Sequence, residues 1–183
     1  MDAVRPEVDF LAWGARVSAP FRDKVKDIAL NLSMPKEGPS WLMACMAFET
    51  GETFRPDVRN AAGSGAVGLI QFMPATAADL GTTVEVLATL SAEAQLDYVR
   101  RYFARYRARL RTLSDCYMAI LWPAAIGMPE DAVLWSQRDR PTTYRQNSGL
   151  DLNRDALILK CEAAKKVYIA LEKGLRPENT APL

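Results

Sequence analysis

The sequence predicts a mainly α-helical single domain, on three observations. Apolar residues recur at three- and four-residue steps through most of the chain, whereas alternating strand patterns are nearly absent. Apolar residues make up 49% of the 183 positions, so a buried core is available and disorder is excluded. Helix-start residues (Ser, Pro) and stop residues (Gly, Pro) fall at the ends of the periodic stretches. About six to eight helices are expected.

Each segment follows from its own residues. Ser18–Pro20 starts a helix with Phe21, Val25, Ile28, Ala29 and Leu32 on one side. Met34–Pro39 is a loop. Ser40 caps a helix running through Trp41, Leu42, Cys45, Met46 and Phe48, which Gly51 stops just after Glu49. Gly63, Gly65 and Gly68 mark a flexible region or a close backbone approach. Pro74 opens a helix over residues 75–80. Ser91–Leu110 is the clearest helix, with Leu96, Val99, Phe103, Tyr106 and Leu110 as its apolar stripe. Ser114–Leu121 is a shorter one, and Pro123–Pro129 an irregular junction. Arg138–Gly149 is polar and loop-like, Asp155–Lys173 is helical, and Gly174–Leu183 is a flexible tail. Residues 1–17 are an N-terminal extension of a domain that spans residues 1–173.

Composition removes several chemistries. The chain has no histidine, which excludes Ser-His-Asp and Cys-His nucleophile systems and histidine-containing zinc sites. Three scattered cysteines, Cys45, Cys116 and Cys161, read as free thiols. A net charge of +1 gives no general argument for a polyanionic partner. Six arginines do cluster, at positions 100, 101, 105, 107, 109 and 111. They read as a solvated helix face or as a patch for an anionic polymer, without a nucleic-acid-reading motif. No apolar run of about 18 residues predicts membrane insertion, and the acidic N-terminus lacks the pattern of an export signal.

Glu49 is the residue with the sharpest chemistry. It closes an apolar helix, where burial disfavours the carboxylate and the helix dipole disfavours an anion. Both effects favour a neutral acid, the form that can protonate a leaving oxygen. Asp151–Glu162 echoes a calcium loop at positions 1, 3, 5 and 12, but Ala156 stands where that loop needs glycine. The preferred reading there is Asp151 or Asn153 capping a helix.

The stretch from Ala47 to Ala77 resembles the lysozyme-like lytic transglycosylases of the soluble type. It carries Glu49-Thr50 for the Glu-Ser pair, Phe54-x-Pro56 for Phe-x-Pro, and Gly65 to Ala77, G-A-V-G-L-I-Q-F-M-P-A-T-A, for the glycine-glutamine block. The likeness is strong over residues 41–80 and extends elsewhere only in helical outline. It implies a two-lobed lysozyme-like fold with a glycan groove, acting without cofactor or metal on the β-1,4 bond between N-acetylmuramic acid and N-acetylglucosamine. Glu49 takes the catalytic place. Thr50, Gly68, Gln71, Met73, Trp122 and Tyr144 take substrate-binding places. The resemblance departs at the family's Ala-Tyr-Asn motif, where Leu121-Trp122-Pro123 stands. Trp122 keeps the aromatic ring, whereas Pro123 cannot supply the amide. The segment around Tyr144 is similar to bacteriophage members. The expected partner is a peptidoglycan glycan strand met by a monomer, reached through phage lysis machinery or carried in a virion. A hydrolytic muramidase remains the alternative, with Glu52, Asp57, Asp79 and Asp97 as candidate second carboxylates. A wall-binding structural module is a further one.

Overall fold

In a computed structural model the described residues are 9–60 and 63–183, and they form a mainly helical domain with two small antiparallel strand pairs. The helices are α1 (Ala19–Asn31), α2 (Gly38–Glu49), α3 (Pro74–Asp79), α4 (Val84–Thr89), α5 (Ala92–Phe103), α6 (Leu113–Leu121), α7 (Pro141–Asn147) and α8 (Lys160–Gly174). The strands are β1 (Phe10–Leu11), β2 (Val133–Ser136), β3 (Leu157–Leu159) and β4 (Ala181–Pro182). β1 pairs with β4 and β2 with β3, the second ladder carrying a register irregularity between Val133 and Trp135. Among the described residues no helix is long and apolar enough to cross a membrane.

α2 is the central element. Residues 42–47 are all buried, and the helix packs against α1, α6 and α8. A helix that is apolar on all sides must be surrounded by protein. It begins two residues before Ser40, whose hydroxyl accepts instead from the Ala12 amide at 3.1 Å. Cys45 on α2 and Cys116 on α6 are buried free thiols with their sulfurs 3.9 Å apart, while Cys161 is exposed.

Several sequence expectations need correction. α5 ends at Phe103, and a short 3-10 turn over Ala104–Tyr106 replaces the continuation to Leu110. Leu110 and Tyr106 are buried all the same, but by a chain that bends back through Ala108 at φ 61°. Arg138–Gly149 contains α7, which Pro141 opens. The last long helix starts at Lys160, because Leu157–Leu159 is drawn into the β2 ladder. Glu162 closes its first turn by accepting from the Leu159 amide at 2.9 Å.

The chain ends are also part of the fold. Leu11, Ala12 and Trp13 are wholly buried, and the Trp13 indole donates to the Ala170 carbonyl at 2.9 Å. Gly174 is required there, since a Cβ would lie 2.4 Å from the indole nitrogen. The tail expected to be flexible is docked: Asn179 is buried, its carboxamide accepts from Arg16 and donates to the Lys173 carbonyl, and the Leu183 amide donates to the Asp9 carbonyl. Residues 1–8 lie outside the described residues.

One buried ion pair fixes the junction after α6. Lys160 donates to Asp115 at 2.6 Å and to the Met128 carbonyl at 2.8 Å, and Asp115 also accepts from the Gly127 and Arg111 amides. Burial alone would raise the Asp115 carboxyl, but Lys160 and these amides outweigh it and hold the group below its ordinary range. A depressed carboxyl stabilises the fold above the ordinary carboxylate range and loses that contribution on acidification. Replacing Lys160 by Met is expected to cost about 3–5 kcal/mol in urea unfolding at neutral pH, because Asp115 is left charged and buried.

Candidate functional site

Glu49 is the last residue of α2 and is half-buried. Its carboxyl makes no hydrogen bond or ion pair among the described residues. Burial pushes it up to about 7 from its ordinary 4.5, and no neighbouring carboxylate contributes to the shift. No fully buried side-chain oxygen or nitrogen among the described residues lacks a partner, so the unpartnered Glu49 oxygens reach solvent. The arrangement therefore gives a carboxyl that is desolvated enough to stay protonated near neutrality and accessible enough to exchange its proton.

Its surroundings come from α2, α5 and α6. Cys45 lies one turn back on α2. Tyr117 of α6 packs edge-on against Phe48, with ring centroids 5.6 Å apart. Burial raises both Tyr117 and Tyr102 well above the usual phenol range, and the Glu49 charge adds to both shifts. The Tyr102 hydroxyl donates a hydrogen bond to the Ala119 carbonyl. Its ring meets Phe72 edge-on at 6.4 Å, which carries the contact on to the glycine-glutamine segment.

That segment is pinned. Val67 bridges to Phe72 and to Arg59. Gly68 adopts φ +81° with its Cα against the Gln95 side chain, where an added Cβ would lie 2.6 Å from the carboxamide nitrogen. Gln95 itself is fully buried: it accepts from the Leu69 amide at 2.7 Å and donates to the Pro56 and Leu87 carbonyls, both at 2.9 Å. The close approach read from Gly68 is thus an approach to Gln95 of α5. Nothing in the sequence marked Gln95, because a polar residue on an amphipathic helix reads as solvated.

The other expected contacts divide. Gln71, at φ 52°, donates from its amide nitrogen to the Val58 and Gly68 carbonyls, both at 3.1 Å, which leaves its carbonyl oxygen unspent. Met73 caps α3 with 46% of its surface exposed. Thr50 is 2% exposed, donates to the Met46 carbonyl at 2.7 Å and accepts from the Phe54 amide at 3.0 Å. Its hydroxyl closes the end of α2 and ties it to the chain that follows Glu49.

Trp122, which ends α6, packs toward β2, and Tyr144 lies on α7. Trp122 packs against Trp135 at 5.3 Å, with the Arg140 guanidinium 5.5 Å from its ring centre. Tyr144 donates to Asp151 at 2.6 Å. Among the described residues no hydrogen bond, ion pair or ring contact joins these residues directly to Glu49. Asp151 also accepts from the Arg154 and Ala156 amides, so its oxygens organise a tight loop. No cluster of three or more potential metal ligands occurs among the described residues, and the calcium-like spacing at 151–162 assembles none.

A concavity of about 770 Å³ lies elsewhere, among Phe10, Leu30, Met34, Trp41 and Leu175. A smaller one of about 350 Å³ is lined by Arg59, Gly65, Pro74 and Val84. Neither includes Glu49. Glu49 is marked by burial, lack of a partner and proton affinity, and not by cavity size. Comparison with protein-family models, curated proteins and solved structures finds no match to this chain.

A raised carboxyl weakens the fold as it ionises. Between about pH 4.5 and pH 7 the native state keeps a proton that the unfolded chain has lost, so stability falls as pH rises. Glu49→Gln is expected to leave unfolding free energy unchanged at pH 4 and to raise it by about 3 kcal/mol at pH 8, as measured by urea unfolding at both values.

Proposed function

We propose that the protein is a peptidoglycan lytic transglycosylase, with Glu49 as its general acid and base and a two-lobed, lysozyme-like arrangement holding the glycan. The observation that carries this reading is the single carboxyl at the end of α2, raised by burial to about 7 and without a hydrogen-bond or ion-pair partner among the described residues.

The chemistry asks for such a group. The neutral carboxyl donates its proton to the glycosidic oxygen, and the N-acetylglucosamine side departs as an alcohol. The resulting carboxylate takes the proton from the muramoyl 6-hydroxyl as that oxygen bonds to the anomeric carbon. A 1,6-anhydro ring forms and the acid is restored. One residue thus serves in both steps, and a value near 7 balances donor against acceptor strength at neutral pH.

The state of the other carboxylates favours this path over hydrolysis, which calls for a second acid flanking the bond. Glu52 is paired with Lys173 at 2.6 Å, Asp57 with Arg55 at 2.7 Å and Asp97 with Lys24 at 3.0 Å. None of them, nor Asp79, perturbs Glu49. The unspent Gln71 oxygen and the exposed Met73 side chain supply a polar and an apolar contact for sugar rings. A peptidoglycan substrate places the reaction at the cell wall, with delivery by phage lysis machinery or a virion.

Glu49→Gln is expected to keep the fold and lower digestion of purified peptidoglycan by at least about 10³-fold, since the acid function is lost outright. Mass spectrometry of wild-type products is expected to find anhydro-muramic ends. Reducing muramic ends would assign a hydrolase instead, and wild-type digestion by Glu49→Gln would remove the glutamate from the chemistry.

A further inference from the structure

Tyr117 has a polar atom that the fold does not use. The residue is 4% exposed, on the buried face of α6. Its ring is held edge-on by Phe48, the residue before Glu49. Tyr102, the other phenol that senses Glu49, donates to a backbone carbonyl. Tyr117 donates to nothing among the described residues. Its oxygen nevertheless is not sealed in, because no fully buried side-chain oxygen or nitrogen there lacks a partner.

Two neighbouring groups therefore share one property. Among the described residues the Glu49 carboxyl and the Tyr117 hydroxyl both lack a partner and neither is sealed from solvent, and the packing of α6 on α2 sets the Tyr117 ring against Phe48, the residue before Glu49. A buried tyrosine usually finds a partner for its hydroxyl. One whose ring is locked and whose donor is unspent next to an unspent acid is arranged to bond something that enters between them. Phenylalanine would fill the same space without that donor.

We propose that Tyr117 is a substrate contact of the Glu49 site, its hydroxyl donating a hydrogen bond to an acceptor oxygen of the sugar whose linkage Glu49 protonates. The proposal rests on the glycan-cleaving reading above. The hydroxyl and the carboxyl would grip the reacting unit from two sides, with α6 providing one wall and the end of α2 the other. Tyr117 lies five residues before Trp122, the aromatic that the sequence pattern had nominated, and Trp122 is already packed against Trp135 and Arg140.

The test is Tyr117→Phe in the full chain. Its thermal midpoint is expected to match the wild type, since no protein hydrogen bond is lost and the edge contact with Phe48 is kept. Its kcat/KM on purified peptidoglycan is expected to fall about tenfold, the loss of one hydrogen bond of about 1.4 kcal/mol. A second measurement does not depend on turnover. Binding of a purified N-acetylglucosamine–N-acetylmuramic acid tetrasaccharide, followed by calorimetry, is expected to be at least about fivefold weaker for Glu49→Gln/Tyr117→Phe than for Glu49→Gln alone. Wild-type kcat/KM for Tyr117→Phe, together with equal tetrasaccharide affinity of the double and single variants, would overturn the role of Tyr117 and leave that of Glu49 standing. Full activity of Glu49→Gln would instead overturn the reading of Glu49, while the binding comparison still decides whether Tyr117 touches the sugar.

Discussion

The burial of α2 through residues 42–47 governs the rest of the structure. An apolar helix enclosed by α1, α6 and α8 leaves its terminal carboxyl in a setting that cannot solvate a charge well. The carboxyl answers by holding its proton to about pH 7. The same packing brings Phe48 against Tyr117 and sets Thr50 to tie off the helix end, so the walls around Glu49 are core residues and not mobile loops. Rigid support of this kind is what keeps a proton donor in one orientation.

The segment between α2 and α3 shows how a short glycine-rich stretch is held in place. Its anchor is Gln95, which reaches from α5 and satisfies one amide and two carbonyls on three different parts of the chain. Gly68 exists to let that carboxamide in. Gln71 then completes the turn with its own amide nitrogen while keeping its oxygen outward of that network. Buried polar groups satisfied in this way specify a single arrangement, because any shift leaves several unpaired at once.

Much of this was legible from residue order, for identifiable reasons. α1, α2, α5 and α6 were visible because each carries an apolar periodicity longer than one turn, α3 was visible from Pro74 at its first position, and Ser18 and Ser91 cap where expected. The proton affinity of Glu49 was legible too, since it follows from one acid ending an apolar run. The β2–β3 ladder was not, because strands of three or four residues are too short for an alternation to register. α7 was hidden by its polar composition, with no buried residue to mark a face. The docking of the two chain ends depends on Trp13, Gly174 and Asn179 meeting across the fold, which no local pattern records. The bonding of Thr50 and the open hydroxyl of Tyr117 were not legible either, because a hydroxyl's partner is decided by tertiary placement.

The central physical claim is that the Glu49 carboxyl is neutral up to about neutrality in a site that still reaches solvent. Carbon-13 NMR of the glutamate side-chain carboxyls, titrated from pH 3 to pH 9 with Glu49→Gln used to assign the resonance, measures this directly. A midpoint near 7 for Glu49 is the expected result. A midpoint at the ordinary 4.5 would contradict it, since the acid would then be a solvated carboxylate with no proton to give at neutral pH.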